Sequence, residues 1–189
     1  MISFTKTVGS IRRCMMRKSK NGRKAMKHLM IIMFTIYIIL IVWVVIFKLQ
    51  FSAFELDYHR SINLIPFYYS NEVGIGFHLK EVFLNCLMFL PFGIYMKAIS
   101  DENSSRMTVL LGALFSIILE VIQYIFAIGA TDATDVITNT CGVAMGVLMY
   151  DILLKIIKRG NRLNVAIISC SVLFMGISIA AIIALIVGN

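Results

Sequence analysis

The chain has 189 residues, 59% of them hydrophobic and 15% charged, with a mean hydropathy of +0.87. A soluble domain of this length needs far more polar surface, so the composition excludes one and implies a polytopic membrane protein of a single domain. The net charge of +8 is uneven: residues 1–27 carry nine basic residues and no acidic one, and an apolar span follows directly. That run reads as a cytoplasmic flank of a membrane helix, with no nucleic acid as partner.

The first span is 29–47, LMIIMFTIYIILIVWVVIF, which has no charge at all. Its apolar core is too long for a cleaved signal peptide, and no A-x-A-like site follows, so a retained anchor is expected. The connection 48–80 contains HRSINLIPFYYSNEVG. It is too polar to span and too apolar for a plain tether. Its LIPFYY stretch reads equally as an interfacial or re-entrant segment, or as a loop packed on the bundle.

Crossing the hydrocarbon core takes about 20 apolar residues. Four further segments meet that length: about 81–99, interrupted by Pro91; about 107–128; about 136–157; and about 164–187. The expected architecture is therefore all-α, a membrane helix bundle of about five transmembrane helices. Lys and Arg number nine in the N-terminus, two in 97–106 and four in 155–163, against three in 48–80 and none in 129–135 or the C-terminal tail. The positive-inside rule then puts the N-terminus in the cytoplasm and the C-terminus outside.

In the third segment Gly112, Ser116, Glu120, Gln123 and Ala127 recur at spacings of four, four, three and four, forming one small and polar helix face. Bulky apolar residues fill the other positions, so the stripe is expected to face protein and the rest lipid. An ionised carboxylate in hydrocarbon costs about 2.5–3.5 kcal/mol on insertion scales, so Glu120 needs a partner, a proton or water. The fourth segment carries a matching stripe, Asp135, Asn139, Gly142 and Gly146, and its G-x-x-x-G step permits close helix approach. Asp135 is the expected N-cap, with Asp132 able to join it in a capping-box-like pair. In the second segment Asn85 lies one turn after Glu81. Pro91 frees a carbonyl that packing or water must satisfy.

By the assigned orientation, Asn63, Pro66, Glu81, Asn85, Glu120, Gln123, Asp132, Asp135 and Asn139 all fall on the extracytoplasmic side, with Asp151 the exception. This predicts an outward-facing polar cavity lined by the second, third and fourth helices. The candidate ligand-binding residues are Asn63, Asn85, Glu120, Gln123, Asp132, Asp135 and Asn139. Glu120 and Asp135 are the candidates for acid/base chemistry.

No H-E-x-x-H, G-x-S-x-G or P-loop is present, and His28, His59 and His78 are isolated. The oxygens of Glu81, Glu120, Asp132 and Asp135 are of the type that binds Ca²⁺ or Mg²⁺. No metal motif accompanies them, and neither metal nor cofactor is assigned. Cys14, Cys86, Cys141 and Cys170 share no short spacing and imply neither a disulfide framework nor a zinc site.

Four motifs occur together over about 57–150: SINLIPF at 61–67, NCLMFLPFG at 85–93, E-x-x-Q at 120–123 and D-x-x-D-x-x-x-N-T-x-G at 132–142. In this combination and order the chain resembles the VanZ family, and the string FAIGATDATDVITNT is similar to the branch found in glycopeptide-resistance clusters. The resemblance implies a multi-pass protein of the bacterial plasma membrane, associated with resistance to teicoplanin and related lipoglycopeptides. It also implies a domain plan: a basic N-terminus at 1–28, a VanZ-like membrane domain of four helices plus outer loop 48–80 at 29–160, and an additional C-terminal transmembrane helix at 161–189. The family's motif positions fall on Asn63, Pro66, Asn85, Pro91, Glu120, Gln123, Asp132, Asp135, Asn139 and Gly142. Many members carry an arginine between the Gln and the first Asp, where this chain has Gly129, Ala130 and Thr131. The expected partners are the bilayer and either a lipoglycopeptide or a lipid-linked cell-wall precursor. An intramembrane enzyme acting on a lipid-linked substrate and a scaffold for cell-wall proteins are the alternatives.

Overall fold

The computed structural model describes residues 22, 24–44, 61–67, 75–100, 104–126, 130–157, 162–173 and 176. In chain order the elements are helix α1 (Lys24–Val44), strand β1 (Ser61–Asn63), α2 (Ile75–Ile99), α3 (Ser105–Phe126), β2 (Ala130–Asp132), α4 (Ala133–Ile157) and α5 (Arg162–Leu173). α1 to α4 are each long and apolar enough to cross a membrane. The twelve described residues of α5 are apolar but too few to cross by themselves. The remainder of the expected fifth span, like Ala127, His59 and Cys14, lies outside the described residues.

α3 is apolar on its outer face and mostly small or polar on its inner one. α3 buries Thr108, Gly112, Ser116, Glu120 and Gln123, while Leu110, Leu114, Ile117, Ile118, Val121 and Ile125 are exposed. In water that arrangement would expose the apolar face and bury a carboxylate; next to lipid tails it is the favourable one.

α2 and α4 form the tightest pair. A Cβ on Gly142 would run into the Cys86 carbonyl, one on Gly146 into the Leu90 carbonyl, and one on Gly93 into the Val143 carbonyl. Glycine alone permits backbones to approach this closely. The order of these contacts runs α2 and α4 in the same direction.

α1 packs on α2 through aromatic rings, with Phe34 against Phe92 at 5.6 Å and against Tyr95 at 5.5 Å. Pro91 has no N–H to reach back one turn, and its ring props the helix open there. The carbonyl this leaves is that of Leu87; on the next residue, the Met88 carbonyl accepts the Tyr37 hydroxyl at 2.6 Å and ties α1 to α2. Leu163 and Ile167 of α5 join a second buried cluster with Met30, Tyr95 and Tyr150.

The departure from a purely helical plan is a parallel pair of three-residue strands, with Ser61 opposite Ala130, Ile62 opposite Thr131 and Asn63 opposite Asp132. Each strand stands before a helix of the α2/α4 pair. Each ends in the same turn, in which an Asn or Asp oxygen accepts the amide two residues on: Ile65 N–H to Asn63 Oδ1 at 3.2 Å, and Thr134 N–H to Asp132 Oδ1 at 2.7 Å.

Candidate functional site

The candidate residues gather where α3 ends and α4 begins. Asp132 is the hub. Its Oδ1 caps α4 through the Thr134 amide, and its Oδ2 accepts a long hydrogen bond from Asn63 Nδ2 at 3.4 Å. Its own amide donates to Glu120 Oε2 at 3.1 Å. In a capping box that last bond comes from the third residue of the same helix. Here a carboxylate from α3 supplies it. The sequence expectation of Asp135 as N-cap is therefore corrected. α4 starts three residues earlier than the apolar run suggests, and Asp135 stands in its first turn with its side chain turned to α2.

Asp135 Oδ1 accepts a 2.7 Å hydrogen bond from Asn85 Nδ2, tying α2 to α4. One turn further along α4, Asn139 Nδ2 donates to Ser116 Oγ at 2.9 Å, tying α4 to α3. Glu120, Gln123, Asn139 and Ser116 are all buried. The Glu120 backbone carbonyl also accepts the Thr131 hydroxyl at 3.3 Å. Asn63, Asn85, Glu120, Asp132, Asp135 and Asn139 thus have hydrogen bonds that join different elements. Gln123 lies on the same buried face of α3.

Electrostatically, the carboxylates of Glu120, Asp132 and Asp135 all stand around the amide-rich start of α4. The positive end of the helix dipole favours each of them there, by about 0.3–1 kcal/mol. Among the described residues no group of three or more His, Cys, Asp or Glu side chains is placed to hold a metal ion, and the four-oxygen set considered from sequence does not assemble as one. Glu81 instead meets His78, at 3.5 Å. Asp151, the residue at the other end, faces Lys97 at 3.8 Å.

Residue-type reasoning did not single out Thr131 or Thr134, yet Thr134 Oγ1 accepts the Phe67 amide at 3.0 Å and so pins the SINLIPF segment to α4. The signal available was D-A-T, an aspartate with a threonine two residues on, a common turn and cap pairing.

A family model described as VanZ/LLP1 matches residues 34–155, from α1 through α4 and both strands. The chain belongs to the VanZ/LLP1 family. It is 38% identical to Protein VanZ of Enterococcus faecium over 117 residues, which is 61% of this chain and 69% of that protein. No solved structure matches. With four apolar helices and this family membership, the chain is a multi-pass membrane protein. The matched region contains every candidate residue named above.

Proposed function

We propose that this VanZ/LLP1 protein lowers bacterial susceptibility to teicoplanin-type lipoglycopeptides, acting in the plasma membrane through the polar cluster at the start of α4. In this reading the chain has five spans, with its N-terminus in the cytoplasm and its C-terminus outside. The cluster then faces the side from which the drug arrives. The observation that carries the reading is the meeting of Asn63, Asn85, Glu120, Asp132, Asp135 and Asn139, from five different elements, at one end of an otherwise apolar bundle. A membrane protein gains nothing in solubility from such a cluster, and intramembrane ionisable groups are costly unless they serve a purpose. A polar cluster beside lipid suits a ligand with a polar head and an acyl tail, either the lipoglycopeptide itself or a lipid-linked cell-wall precursor.

The test is teicoplanin susceptibility of cells expressing wild type, Glu120→Gln or Val121→Ala. Gln retains an oxygen for the Asp132 amide, so Glu120→Gln should fold while losing the carboxylate charge. Val121 is exposed on the lipid face of α3. Protection is expected to be lost in Glu120→Gln at equal protein level and kept in Val121→Ala. Full protection by Glu120→Gln would remove the carboxylate from the mechanism.

A further inference from the structure

The turn that follows β1 presents an apolar tip. Leu64, Ile65 and Phe67 are 75%, 62% and 51% exposed, and Pro66 between them is exposed too. We propose that residues 64–67 form a membrane-dipping knuckle, seated at the headgroup–acyl boundary of the leaflet where α4 begins.

Three observations support a lipid occupant. The first is level. The Phe67 amide is bonded to Thr134 and Asn63 is bonded to Asp132, so the turn is fixed beside the first residues of the α4 span. That is the depth at which non-helical backbone and apolar side chains coexist.

The second is the state of the backbone. An amide taken out of water must be bonded. Pro66 has none, the Ile65 amide is held by Asn63 Oδ1, and the Phe67 amide is held by Thr134 Oγ1. Phe67 sits at φ 58°, a left-handed conformation unusual for a phenylalanine, so the turn is held in shape by its contacts. The third is composition. Leu64, Ile65, Pro66 and Phe67 carry no charge and no side-chain hydrogen-bonding group, so seating them at the acyl boundary leaves no side chain unpaired.

The inference does not depend on what the polar cluster binds. It is tested on the full chain in phosphatidylcholine–phosphatidylglycerol vesicles, using tryptophan as a depth probe. Trp43 is the only native tryptophan. In a Trp43→Phe background, Ile65→Trp and, separately, Leu64→Trp are compared for emission maximum and for quenching by aqueous acrylamide and by nitroxide lipids labelled at the headgroup or deep in the chain. Blue-shifted emission, shielding from acrylamide and stronger quenching by the shallow nitroxide are expected at both positions. Water-like emission quenched by acrylamide alone would overturn the proposal. So would quenching by neither agent, which would mean a second copy or another protein covers the turn, and so would preferential quenching by the deep nitroxide, the signature of a re-entrant segment.

Discussion

Asp132 shows how much one residue here is asked to do. It caps α4, receives Asn63 from β1 and offers its amide to Glu120 on α3. Asp132→Ala should therefore cost about 1–2 kcal/mol, the upper range for loss of an N-cap. Asp132→Asn, which keeps an oxygen for the Thr134 amide, should cost less, and thermal melting in detergent or nanodiscs will rank the two. Sequence alone favours Asp135 as the cap, where the structure uses Asp132. Both are cap-competent residues just ahead of an apolar run. What decides is long-range: the Glu120 carboxylate is already at the Asp132 amide, and Asn85 claims Asp135. Neither partner is visible within a few residues of the helix start. The burial of Glu120, by contrast, was legible from its place in a small and polar stripe with a four-residue repeat.

Among elements, the α2–α4 pair carries the architecture. The G-x-x-x-G step of α4 was readable as a close-packing face, but its complement, Gly93 on α2, gave no periodic signal of its own. Gly142→Ala should drive α2 and α4 apart, because the new methyl meets the fixed Cys86 carbonyl. A loss of about 1–3 kcal/mol is expected, as for overpacking in a dense core. Tyr37→Phe tests the hydrogen bond that ties α1 to α2. Removing the hydroxyl leaves the Met88 carbonyl without that donor, at an expected cost of about 1 kcal/mol by the same melting assay. The strands were illegible in the sequence for a plain reason. Three residues carry no alternation to detect, and the two partners lie far apart in the chain. Only their shared ending, an Asn and an Asp each bonded to the amide two residues on, hints that they are related.

For the molecule as a whole, hydropathy carried most of the information. Four of the expected spans overlap α1 to α4, and α3 and α4 start two and three residues earlier than expected, because Ser104 and Asp132 cap them where an apolar count cannot. Orientation belongs to this scale as well. With Lys and Arg concentrated on one side, Ser104→Cys and Arg162→Cys, both at exposed positions, should react with an impermeant thiol reagent only after cells are permeabilised. Labelling of intact cells would reverse the topology and turn the polar cluster toward the cytosol. In the proposed reading, the cluster's location at one end of the bundle is what links fold to function. The most direct measurement is teicoplanin binding to the purified protein in nanodiscs, wild type against Glu120→Ala, with melting recorded for both. The account predicts saturable binding by the wild type and at least tenfold weaker binding by a folded Glu120→Ala protein, a difference of about 1.4 kcal/mol or more. Equal binding by the two, or binding by neither, would contradict capture of the drug at this site.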